Sequence, residues 1–230
     1  MKKVNKDENE DKELENKLIY NSFYVTYVFL LTTGTITFIE AIRTKVPEVR
    51  NILNLETCIS IVAAYFYGKF IMQLKEDKVD YEKINENRYT DWAITTPIML
   101  LVLVLAFLFN SKGGKLKFTT FLLILFFNYG MLASGYLGEQ GVIDKTPANI
   151  IGFIFFTALY YYIYAVFIQD NYNFDNMILF LSFLVLWSGY GILYFQDEVT
   201  KNVGFNVLDL FAKCFVGIFF WAYYSGVFVL

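Results

Sequence analysis

Val207-Leu208-Asp209-Leu210-Phe211-Ala212-Lys213 lies inside an apolar run from about Val203 to Val227. A run of that length crosses a bilayer core as one helix. Asp209 precedes Lys213 by four residues, which puts both side chains one turn apart on a common face. Lys213 sits near the middle of the run, too deep to snorkel to a surface. An uncompensated lysine at that depth is costly and needs a partner and a function. Two readings fit this stretch alone: a structural ion pair, or a lysine whose amine is condensed with an aldehyde.

Composition sets the solvent. The chain is 57% hydrophobic and 20% aromatic, and its mean hydropathy is +0.44. These values describe a polytopic membrane protein. Its length allows one domain of about seven helices of roughly 20–25 residues. The net charge of −3 says little, because charge concentrates outside the apolar runs. Histidine is absent, which removes the commonest metal ligand and the default acid/base residue. Cys58 and Cys214 both fall in apolar segments without metal-ligand spacing and read as small core residues. No basic stripe supports nucleic-acid binding, and no metal site is expected.

Met1 to Lys17 hold five lysines and six acids with almost no apolar residues. They read as a solvated arm, disordered or weakly helical, without the apolar core of a signal peptide. Residues 18–230 read as one transmembrane domain. Its apolar segments are 18–43 (A), 52–74 (B), 88–109 (C), 117–138 (D), 147–168 (E), 175–195 (F) and 203–227 (G). Short polar linkers suit antiparallel neighbours. The A–B linker carries Arg43, Lys45 and Arg50, and the C–D linker carries Lys112, Lys115 and Lys117. The positive-inside rule then places the N-terminus outside and the C-terminus in the cytoplasm. The fold class is an all-α, seven-transmembrane-helix bundle.

Few ionisable residues remain at depth: Glu56 in B, Arg88 and Asp91 in C, Asp209 and Lys213 in G. Glu40 and Lys69 lie nearer segment ends and read as solvated. In helix C, Arg88, Asp91 and Thr95 share a face, so Thr95 is placed to hydrogen-bond Asp91. Asp91 and Asp209 with Arg88 and Lys213 make a neutral buried cluster, with proton acceptors beside a lysine nitrogen.

Arg88-Tyr89-x-Asp91-Trp92-x-x-Thr95-Thr96-Pro97 in the third segment and Leu208-Asp209-x-x-Ala212-Lys213 in the seventh resemble the microbial (type 1) rhodopsins. Trp187-x-x-Tyr190 in helix F resembles the same family, and Met131 and Gly135 in helix D match it more weakly. The order of segments fits along the whole chain apart from the N-terminal arm. The short chain, lack of histidine and helix-B glutamate resemble the viral branch of the proteorhodopsin-like group.

The resemblance implies that Lys213 carries all-trans retinal as a protonated Schiff base. Asp91 would be its primary counterion and proton acceptor, Asp209 the second counterion, with Arg88 beneath them and Thr95 steadying Asp91. A buried iminium needs such an anion to stay protonated. Trp92, Thr96, Met99, Trp187, Tyr190 and Tyr194 would line the polyene and ring with Met131 and Gly135, and Tyr67 would hydrogen-bond Asp209. A thioether at Met99 implies green rather than blue absorption. The resemblance also implies a lipid bilayer, protons or other cations as cargo, no enzymatic activity, and assembly as a trimer or pentamer. The location would be integral and multi-pass, in a plasma or internal host membrane.

Three positions depart from the family. Its helix-F proline is Gly191, the proteorhodopsins' helix-B histidine is Phe66, and the outward pumps' helix-C carboxylate is Val102. Val102 lies about 16 Å cytoplasmic of Asp91 at 1.5 Å per residue. Glu56 precedes Tyr67 by eleven residues on the antiparallel helix B, so it reaches a similar depth. It reads as a replacement proton donor, among Leu53, Ile59 and Val102, provided it holds a proton in the dark. The alternatives are a solvated glutamate paired with Arg50, or an ionised channel gate. Asp197 and Glu198 are candidates for a release group or simply solvated. The leading function is a light-driven outward proton pump. A light-gated cation channel is kept open by Glu40 and Glu56, and a photosensor with a separate transducer by the missing helix-C donor. Lys213→Ala is expected to yield a protein that stays colourless with retinal present, measured by visible absorbance. Retained colour with a covalent imine would reject Lys213 as the attachment point.

Overall fold

The computed structural model describes the backbone of residues 4–76, 79–112 and 114–226, with side chains from Leu14 onward. The end of segment G at Val227 and the C-terminus lie outside the described residues. The helices are α1 (Val4–Arg43), α2 (Pro47–Gln73), α3 (Tyr81–Asn110), α4 (Phe118–Glu139), α5 (Lys145–Phe167) and α6 (Phe174–Leu193). The seventh span consists of α7 (Glu198–Asp209), a π-helical segment (Leu210–Phe215) and α8 (Val216–Ser225). Among the described residues, seven helices are long and apolar enough to cross a membrane. The protein is an integral, multi-pass membrane protein.

Each helix packs on its neighbours in sequence, and α1 closes the ring against α7 and α8. Backbone groups are satisfied inside each helix, as a lipid environment requires. One apolar core joins α2 through α6 with the seventh span, around Leu103, Ile163 and Phe220. A second lies between α1, α2 and the π segment, around Phe23, Phe70 and Cys214. Side chains such as Ile61, Val185 and Ile192 face outward, toward the lipid tails.

Local chemistry explains the helix ends. Pro47 starts α2 at a position where no amide hydrogen is required. Asp80 caps α3 by accepting from the Lys83 amide at 3.1 Å. Residues 81–87, expected in a charged linker, are therefore helical. With 30 residues, α3 is about 45 Å long and outruns a hydrocarbon core of about 30 Å. Its charged first turns can stay in water while the helix continues. The same holds for the N-terminal arm, which from Val4 forms one helix with segment A. Asp197 caps α7 through the amides of Val199 and Thr200. The Thr200 side-chain and amide hydrogen bonds hold its carboxyl below the usual range.

One expectation about a single residue changes. Cys58 is exposed on the outer face of α2, while Cys214 is buried; a small apolar thiol is tolerated by lipid as well as by a core. Pro97 sits inside α3 without breaking it. Its missing amide frees the Ala93 carbonyl, and Tyr129 Oη on α4 donates to that oxygen at 3.1 Å. Asp80→Ala should lower stability by about 0.5–2 kcal/mol by removing the cap, whereas Asp80→Asn should retain most of it. Thermal unfolding in detergent checks both.

Candidate functional site

Lys213 projects from the π-helical segment and is 2% exposed. Such segments insert an extra residue per turn and occur often at functional positions. Lys213 Nζ donates to Asp91 Oδ2 on α3 at 2.7 Å and to Asp209 Oδ2 on α7 at 3.3 Å. Both carboxylates are fully buried. The ammonium thus bridges two acids from different helices, which sequence spacing alone does not dictate.

The two acids differ in their surroundings. Asp209 accepts from Tyr67 Oη at 2.8 Å and from Tyr190 Oη at 2.6 Å. Arg88 Nη1 lies 3.8 Å from its Oδ2. Asp91 Oδ2 accepts from Lys213, but its Oδ1 has no partner. Thr95 does not bond the Asp91 carboxylate as expected. Its hydroxyl donates to the Asp91 main-chain oxygen at 2.9 Å, the back-bond that a helical threonine readily makes.

Arg88 is held beside Asp209. Its Nη2 donates to Asn202 Oδ1 at 3.0 Å and Asn206 Oδ1 at 2.9 Å. The rings of Phe23, Phe70 and Phe205 stand 5.1–5.5 Å from its guanidinium carbon, at cation–π range. Arg88 Nε and Nη1 and Asp91 Oδ1 are buried without hydrogen-bond partners, as polar atoms do where water completes a network.

A cavity opens beside Lys213. Trp92, Thr96, Met99 and Met131 line it on α3 and α4, with Gly135. Trp187, Tyr190 and Tyr194 line it from the side of α6. Trp92 meets Tyr190 edge-on at 5.2 Å and Phe205 at 5.3 Å. Tyr194 Oη donates to the Gly135 carbonyl at 3.0 Å. Gly191 also lines the wall: a Cβ there would stand 2.6 Å from the Phe153 ring. Glycine at the family's proline position therefore leaves space for Phe153, and α6 remains helical to Leu193.

These residues fit an elongated apolar group with an aldehyde at one end. The amine is buried at the cavity wall, its charge is balanced, and the remaining wall is largely aromatic. Phe205 and Phe153 also line the cavity and escaped sequence reading, because aromatics are too common here to single out. Asn128, likewise missed, donates to Thr96 Oγ1 at 2.9 Å.

Glu56 lies away from this cluster and is 2% exposed. The reading of a solvated glutamate paired with Arg50 is overturned. Arg50 instead donates to the Thr44 carbonyl at 2.8 Å, because α2 turns Glu56 inward while Arg50 faces out. Among the described residues no cation lies within 4.0 Å of Glu56. A Cβ at Gly217 would stand 3.1 Å from Glu56 Oε2, so that glycine makes room for the carboxyl. Lys69, expected to be solvated, donates to Asn87 Oδ1 at 2.9 Å. Sequence reading also missed Lys201, fully buried at the start of α7, because it fell outside the assumed limits of segment G. Its spacing of three from Glu198 was the available signal.

The profile of the bacteriorhodopsin-like protein family matches residues 19–227. The crystal structure of the viral rhodopsin OLPVRII is 56% identical, superimposes with a TM-score of 0.87, and covers 92% of this chain and 100% of its own. The green-light absorbing proteorhodopsin of Gamma-proteobacterium EBAC31A08 is 26% identical over 151 residues. That match covers 58% of this chain and 59% of that relative's length. Acetabularia rhodopsin I, at 21% identity, has a TM-score of 0.76 over 92% of this chain and 95% of its own, and shares the fold. Tyr67→Phe should destabilise the protein by about 1.5–3 kcal/mol, the range for a bond to a charged group. Thermal unfolding against Tyr65→Phe, an exposed control, measures it.

Proposed function

We propose that this chain, which belongs to the bacteriorhodopsin-like protein family, is a light-driven outward proton pump with its N-terminus on the outer side. The family is one of light-driven membrane transporters and sensors that carry retinal. Here Lys213 Nζ would hold retinal in the all-trans form, between Trp92 and Trp187. When bound, retinal supplies light absorption and an isomerisation that shifts the nitrogen and its field.

The observation that carries the proposal is the unequal pair of acids. Asp209 accepts from two phenols and the ammonium and lies 3.8 Å from the guanidinium. Asp91 contacts the nitrogen at 2.7 Å, and among the described residues no other side chain donates to its carboxylate. Asp91 therefore takes the proton from the Lys213 nitrogen, while Asp209 holds its charge and steadies Arg88. Arg88, with Asn202 and Asn206, carries the polar path away from Asp91 toward the α7 end. On the other side Glu56 stands as the donor that returns a proton to the nitrogen, at the level where Val102 offers none. Leu53 and Ile59, fully buried on the same helix, keep water from it between cycles.

A channel reading draws on one specific feature. Thr37 Oγ1 and Thr57 Oγ1 lie 2.9 Å apart between α1 and α2, and Thr33 and Ser60 are buried beside the same interface. A hydroxyl-lined lane next to Glu56 suits a cation path.

Illumination of an unbuffered suspension of expressing cells should acidify the medium, and a protonophore should abolish the signal. Currents that reverse with the ion gradient would replace the pump with the channel. Asp91→Asn should red-shift the dark absorption and stop pumping, since a neutral side chain stabilises the ground-state cation less. An unchanged spectrum would move the main role to Asp209. Glu56→Gln should slow the return of a proton to the Lys213 nitrogen and make it follow bulk pH, with azide restoring the rate. An unaltered rate would remove Glu56 as donor.

A further inference from the structure

Beyond Arg88 a second ion cluster closes the same end of the bundle. Lys201 Nζ donates to Glu139 Oε1 at 2.5 Å and to Glu198 Oε1 at 2.8 Å. Asn85 Nδ2 donates to Glu139 Oε1 at 2.9 Å and to Glu198 Oε2 at 3.0 Å. Lys145 Nζ, at the start of α5, lies 3.8 Å from Glu139 Oε1. The Glu139 side chain is 7% exposed and that of Glu198 37%, so one acid faces the interior and the other meets solvent.

The cluster is continuous with the site. Arg88 Nη2 donates to Asn202 Oδ1 at 3.0 Å, and Asn202 Nδ2 donates to the Glu198 carbonyl at 2.9 Å. Buried arginine, two asparagines and two carboxylates thus form one polar route. Two carboxylates meeting in a nearly closed site share a single proton when nothing separates their charges. Here a fully buried ammonium stands between them, and the amide of Asn85 bonds both.

We infer that Lys201 is a positioning residue that keeps Glu139 and Glu198 as a closed pair of anions, so that this exit stores no proton in the dark. The inference rests on the outward pumping proposed above. A proton leaving Asp91 then passes to one of these carboxylates and on to bulk water, and Asp91 returns to its anion. Nothing is available to leave earlier. The proton reaches the medium late, when Asp91 empties, and the ammonium re-forms both contacts behind it.

Infrared spectroscopy of the dark protein at neutral pH reads the stored proton directly. Wild type should show no protonated carboxyl band that Glu139→Gln or Glu198→Gln removes. Lys201→Met should gain one proton, seen as a new band that vanishes in Lys201→Met combined with Glu139→Gln. Lys201→Arg should stay like wild type. A wild-type band that disappears in Glu139→Gln would overturn the inference, even where Lys201→Met fails to fold. In a flash experiment with a pH-sensitive dye, wild type should release its proton with the recovery of colour, and Lys201→Met ahead of it. Early release by wild type would also overturn it. A chain that moves no protons in light would overturn the pump and the timing, while the dark infrared comparison decides Lys201 separately.

Discussion

One ammonium surrounded by low-dielectric protein constrains the rest of the molecule. Lys213 can be charged in the bundle only because Asp91 and Asp209 reach its nitrogen from two helices. Arg88 then balances the second acid. Breaking a buried pair by deleting one partner costs about 3–5 kcal/mol, yet an apolar replacement of the whole set is often neutral. The cluster is therefore weak as a stabilising device. Its value lies in a nitrogen and an acceptor held at hydrogen-bond distance.

That arrangement depends on the backbone around it. The π-helical segment sets Lys213, Ala212 and Cys214 inward together, and the facing cores fix α3 and α7 at either side. Phe23, Phe70 and Phe205 surround the guanidinium, and Arg88 bonds Asn202 and Asn206. Tyr67 and Tyr190 complete the asymmetry by bonding Asp209 and not Asp91. Two acids that look equivalent in the chain thereby acquire different environments, one bonded by two phenols and one by the ammonium.

The same logic governs the two outer stations. Glu56 is accommodated because Gly217 has no side chain where the carboxyl lies, and Arg50 points elsewhere. Lys201 is accommodated because α3, α4 and α7 bring Asn85, Glu139 and Glu198 around it. Both stations draw on distant segments, although Glu198 and Lys201 lie three apart on α7. A glutamate with no cation and a lysine with two carboxylates are opposite solutions to burying a charge-bearing group.

The chain by itself determined the seven spans, because a bilayer demands long apolar helices and tolerates few charges within them. It also singled out Lys213, Asp209, Asp91 and Arg88, since ionisable groups at depth stand out against so apolar a background. Helix limits were less legible. A charged stretch such as residues 81–87 looks like a loop in hydropathy, but helix geometry continues past the membrane wherever a cap such as Asp80 permits it. Only the tertiary structure decided that Thr95 bonds a carbonyl rather than a carboxylate, that Glu56 faces inward, and that Lys201 sits between two acids. Those facts depend on helix rotation and on approach between distant segments, which a one-dimensional pattern of polarity does not encode.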